Sequence, residues 1–76
     1  MESPKPDAIL ITINGAEKPV PSGLTVSTLL DFLAIKPGRV AVELNRAIVR
    51  KQDWCATPVE GGAQVEVVWF VGGGAR

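Results

Sequence analysis

Seventy-six residues leave room for one domain, and a chain this short buries only about 60% of the surface its unfolded form exposes, so its core is small. Eight basic residues balance eight acidic ones, which argues against the phosphate-neutralising patch of a nucleic-acid binder. With no histidine and a single cysteine, Cys55, the chain lacks an intramolecular disulfide, the commonest general base and an ordinary zinc site.

Residues 1–7 are polar, carry Pro4 and Pro6, and read as a disordered lead-in without the apolar stretch of a signal peptide. No apolar run approaches the roughly 18 residues needed to span a bilayer. The expected localisation is therefore cytoplasmic, where an unpaired cysteine is ordinary.

From Ala8 to Ile13 the chain alternates, with Ile9, Ile11 and Ile13 on one face and Leu10 and Thr12 on the other, which predicts a strand. Asn14-Gly15 is a hairpin signal, because a type I′ turn needs positive φ at both central residues. A short return strand follows over Glu17 to Val20, and Pro19 marks it as an edge.

Thr25 is a good N-cap. Val26, Leu29, Leu30 and Leu33 then form one apolar stripe of a helix, which Pro37 is expected to end at Lys36. Val40 to Leu44 alternates as a strand, Asn45-Arg46 reads as a tight turn, and a short strand follows over Ala47 to Val49. Residues 50–62 read as irregular, and Gln64 to Val71 as the last strand.

The order is β-β-α-β-β-β, an α+β domain with one helix on one face of a mixed sheet of four or five strands. The helix is the crossover that lets a later strand lie parallel to the first. The predicted core is Ile9, Ile11, Ile13, Val26, Leu30, Leu33, Val42, Val65 and Val67.

After the last strand comes Gly72-Gly73-Gly74-Ala75-Arg76. Glycines without Cβ atoms make a narrow segment able to thread into a partner's active site. The plain alternative is a frayed chain end. The expected organisation is thus a lead-in over 1–7, a domain over 8–71 and a flexible tail over 72–76. The glycines are not a phosphate-cradling loop, since no helix and no Gly-Lys-Ser/Thr follows them.

Outside the tail, Leu10, Val68 and Phe70 share the face away from the helix and are candidates for a partner surface. Trp54 is expected to pack in the core or at an edge. Trp69 by parity points to the helix side. Cys55 has no histidine or second thiol to activate it and reads as a small, partly buried loop residue. Glu43 and Glu66 read as solvated charge. Nothing forms a nucleophile–base pair, so an enzyme is the least expected class.

Taken together, certain segments resemble a known family. They are Ile13-Asn14-Gly15, Leu24-Thr25-Val26 with Leu29-Leu30, Val40-Ala41-Val42-Glu43-Leu44-Asn45, Ile48-Val49, Trp54 with Thr57-Pro58, Val65-Glu66-Val67-Val68, and Phe70-Val71-Gly72-Gly73-Gly74. In this order, over residues 8 to 74, they are similar to the ThiS sulfur carriers of thiamin biosynthesis, which have the β-grasp (ubiquitin-like) fold.

The resemblance implies a reaction. The terminal glycine carboxylate is adenylated with ATP by an E1-like partner, converted to a thiocarboxylate by way of a sulfur donor enzyme, and used by a thiazole synthase. Gly74 would carry the sulfur, and Gly72 and Gly73 would thread behind it. The carrier itself would bind no cofactor and no metal.

One departure stands out: Ala75-Arg76 follow the glycines, so the Gly74 carboxyl is held in a peptide bond, and either a protease trims these two residues or the chain is inactive as it stands. Carriers for molybdopterin or cysteine synthesis share the chemistry. A ubiquitin-like binding module with a silent tail is the alternative from another class.

Overall fold

The computed structural model describes residues 7–70. The lead-in up to Pro6, the expected end of the last strand at Val71 and the glycine tail over 72–76 lie outside the described residues.

Strand β1 (Ala8–Ile13) pairs with β2 (Ala16–Pro21) in an antiparallel hairpin that sets Ile9 opposite Val20 and Ile13 opposite Ala16. Asn14 and Gly15 make the turn at φ 49° and 86°, the left-handed pair a type I′ turn requires. The return strand is one residue longer at each end than its sequence signals suggest. Pro19 lies on β2, an edge strand, where a residue without an N–H is tolerated.

Helix α1 (Val26–Phe32) opens on a capping box. The Thr25 hydroxyl accepts from the Thr28 N–H at 3.3 Å, and the Thr28 hydroxyl accepts from the Thr25 N–H at 2.8 Å. Threonine thus fills both roles usually shared with Glu or Gln.

The helix stops four residues before the expected end at Lys36. Leu33 is its C-cap and Ala34 turns left-handed at φ 60°. The Ala34 N–H donates to Asp31 O at 3.0 Å, and the Ile35 N–H donates to Leu30 O at 2.9 Å. These are the two bonds of a Schellman motif, built on alanine where glycine is usual. Pro37 instead begins a 3₁₀ turn over Pro37–Arg39.

Strands β3 (Val40–Leu44) and β4 (Ala47–Val49) form a second hairpin, turned by Asn45 and Arg46 at φ 52° and 72°. Lys51–Ala56 forms 3₁₀ turns inside the stretch expected to be irregular. Residues 57–59 then lie alongside the start of α1, with the Val26 N–H donating to Thr57 O and the Val59 N–H to Leu24 O, each at 2.9 Å.

Strand β5 (Gln64–Trp69) comes last in the chain but lies in the middle of the sheet, whose order is β2-β1-β5-β3-β4. It runs parallel to β1 and antiparallel to β3. The product is the expected mixed sheet, here of five strands, with one helix.

Of the predicted core, Ile11, Val26, Leu30, Val42, Val65 and Val67 are buried, while Ile9, Ile13 and Leu33 are half-buried and pack against them. Leu29, Val20, Val40, Trp54, Val59 and Ala63 complete the core. Among the described residues no helix is long and apolar enough to cross a membrane. None of their His, Cys, Asp and Glu side chains form a group of three that could hold a metal ion.

Candidate functional site at the end of the central strand

The candidate site is the place where β5 gives way to the glycine tail. Its geometry follows from how β5 is held on each side. Even-numbered residues of β5 bond to β3, and the last of these bonds runs from the Phe70 N–H to Arg39 O at 2.8 Å. Odd-numbered residues face β1. There the Thr12 N–H donates to Ala63 O and the Asn14 N–H to Val65 O, both at 2.9 Å.

The next step of that parallel ladder would join the Val67 N–H to the carbonyl of residue 14, and Val67 O to the N–H of residue 16. β1 has already turned away, and the Asn14 side chain supplies both partners. Its Oδ1 accepts from the Val67 N–H at 2.7 Å, and its Nδ2 donates to Val67 O at 3.2 Å. One carboxamide replaces two backbone groups.

Asn45 does related work at the other end of β5. Its backbone N–H donates to Gln64 O at 2.7 Å, and its Oδ1 accepts from the Gln64 N–H at 2.9 Å. Both asparagines begin type I′ turns, where they tolerate positive φ. The Asn-Gly signal points to such a turn, but nothing in the one-dimensional pattern shows where the carboxamide goes.

Beyond Val67 the strand is clothed in exposed apolar side chains. Val68 and Phe70 are exposed on the open face, with Ala41 directly beside Val68 on β3. Trp69 lies on the helix side by alternation, as parity indicates, yet it is 55% exposed. Helix α1, with seven residues, is about 10 Å long, while β5 spans about 20 Å, so the helix covers only part of the sheet. Parity gives the face of a residue but not whether anything covers it, and this is why Trp69 was not legible as a surface residue.

Leu10 does not join Val68 and Phe70 in one patch. The register sets Thr12 beside Gln64, which places Leu10 level with Gly62, whose N–H donates to Leu10 O at 2.7 Å. Val68 lies six residues further along β5, about 20 Å away at strand spacing. Thr12, Gln64 and Glu66 occupy the face between them. The three candidates are all exposed, but only Val68 and Phe70 stand at the root of the tail.

The other candidates differ in burial. Trp54 is buried and donates its indole N–H to Val49 O. Cys55, expected to be partly buried, is exposed. The 3₁₀ turn that draws Trp54 into the core leaves the next side chain outside. Glu43 and Glu66 are exposed cross-strand neighbours that line a shallow depression with Arg46, Gln64 and Val68. Ile48, opposite Glu43, adds a further exposed apolar side chain to the open face. Gly72, Gly73 and Gly74 lie outside the described residues.

The ThiS family model matches residues 8–74, which is nearly the whole chain and runs through the glycines. The chain belongs to the ThiS family. It is 34% identical to the thiamine biosynthesis protein ThiS of Geobacter metallireducens. Against the crystal structure of that protein the TM-score is 0.74, with 87% of this chain and all of the other covered. Against its solution structure the TM-score is 0.71, covering 90% and 91%. The β-grasp fold is therefore shared with a ThiS protein of known structure.

Two curated relatives are thiazole synthases. That of Paramagnetospirillum magneticum is 38% identical over 65 residues, and that of Magnetococcus marinus 39% identical over 64. These matches take in 86% and 84% of this chain but only 20% of each relative, so the chain spans about a fifth of the curated proteins it matches.

Proposed function

We propose that this ThiS-family chain is the sulfur carrier of thiamin biosynthesis and that the Gly74 carboxyl is its reacting group. The observation that carries the reading is that the family match continues past the central strand to Gly74, so the glycine segment belongs to the family pattern. A carboxylate is a poor acyl donor. Attack of a Gly74 carboxylate oxygen on the α-phosphate of ATP, with loss of pyrophosphate, gives an acyl-adenylate. Sulfur at the sulfide level, delivered by a donor enzyme, then attacks the acyl carbon; AMP leaves with the bonding electron pair, the sulfur's proton passes to solvent, and a thiocarboxylate remains.

The carrier supplies the substrate terminus and the docking surface, while an adenylating enzyme supplies ATP chemistry, acid–base groups and any metal. Gly72 and Gly73 pass through a channel that a side chain would block. Thiazole synthase is the acceptor, a role supported by the likeness to part of two such enzymes. Work of this kind places the chain in the cytoplasm. Ala75 and Arg76 must first be removed, by a protease that cuts after Gly74.

The test compares two purified chains, one ending at Gly74 and one at Arg76, each mixed with the adenylating enzyme and ATP. Pyrophosphate release with the first and none with the second is the expected result. Release with neither would overturn the reading. Equal release with both would overturn the trimming step.

A further inference from the structure

We propose that Asn14 is a positioning residue for docking, its carboxamide fixing the direction in which β5 presents Trp69 and Phe70 to the adenylating enzyme. The proposal rests on the carrier reading above. Among the described residues, the paired bonds from Asn14 to Val67 are the last tie to β5 on the side of β1. Trp69, two residues on, turns its N–H and C=O toward the edge that β1 has vacated. Without the carboxamide, the strand from Val67 onward is held by β3 alone.

Leverage makes that tie matter. From Val67 to Phe70 the extended strand covers about 10 Å, so a pivot of about 10° at Val67 moves Phe70 by about 2 Å. A shift of that size loosens the fit of Trp69 and Phe70 against a partner surface, so the cost falls on binding. Asn45 provides an internal control. Its side chain also bonds to the β5 backbone, but at Gln64, the end of the strand remote from the tail.

The experiment uses the chain ending at Gly74 and the substitutions Asn14→Gly and Asn45→Gly. Glycine keeps the left-handed turn and removes the carboxamide, and the backbone freedom it adds is common to both variants. Asn14→Gly is expected to raise the KM for the carrier in adenylation about tenfold with kcat unchanged, the cost of ordering on binding a strand end that the free carrier no longer holds. It also speeds amide exchange at Val67. Asn45→Gly is expected to lower the thermal midpoint and speed exchange at Gln64 while leaving KM unchanged.

A wild-type chain that reacts beside an Asn14→Gly variant of unchanged KM overturns the role of Asn14 alone. A wild-type chain that is never adenylated overturns the carrier reading and this proposal with it. If Asn14→Gly does not fold, Asn14→Asp serves the same test: it keeps the acceptor for the Val67 N–H and loses the donor to Val67 O. An Asn14→Asp KM no higher than that of Asn45→Asp would be equally contrary.

Discussion

Trp54 donates its indole N–H to the Val49 carbonyl at 2.9 Å from within the core. The bond fastens the 3₁₀ turns to β4, an edge strand of only three residues. Trp54→Phe keeps most of the apolar volume and leaves the Val49 carbonyl without this donor, a loss of about 1–3 kcal/mol. Trp54→Ala adds a cavity and costs about 3–5 kcal/mol, much of the stability of so small a domain. Urea unfolding at constant m-value measures both.

The two tryptophans report on different environments, since Trp54 is 4% exposed and Trp69 is 55% exposed. In a fluorotryptophan-labelled chain, the fluorine resonance of Trp69 is expected to shift when the adenylating enzyme is added, and that of Trp54 to stay in place. Movement of Trp54 alone would put docking at the 3₁₀ turns and away from the tail root.

The register that separates Leu10 from Val68 has a functional consequence. Val68→Asp and Phe70→Ala are each expected to weaken binding of the adenylating enzyme about tenfold, as loss of a buried apolar anchor does. Leu10→Asp leaves it unchanged. Titration calorimetry separates the cases, and equal losses at all three positions would argue for docking across the whole open face.

Ala34 holds a left-handed backbone at φ 60° at the end of α1. Glycine adopts that conformation without the Cβ clash, which costs alanine about 1–2 kcal/mol. After allowance for the greater freedom of glycine in the unfolded chain, Ala34→Gly is expected to stabilise the domain by about 0.5–1 kcal/mol. A fall in the thermal midpoint would show that the turn carries no strain.

Much of this fold can be read along the chain. The strict alternation of Ile9, Ile11 and Ile13 and the Asn14-Gly15 turn identify the first hairpin, and the stripe from Val26 to Leu33 identifies the helix. The helix end was hidden because its left-handed cap is an alanine, while Pro37 offers a more visible stop three residues later. Trp54 and Val59 are buried by a segment without periodicity, so nothing local announces them as core. The apolar residues at the tail root were legible as candidates. Their division into two places depends on the β1–β5 register, a contact between residues more than fifty positions apart.

The most direct test of the carrier role is the intact mass of this protein isolated from its native host under thiamin starvation. The account predicts a species ending at Gly74 in which one carboxyl oxygen is replaced by sulfur. Finding Gly74 still joined to Ala75 in every species, under starvation and repletion alike, would contradict it and leave the domain a binding module with a chemically silent tail.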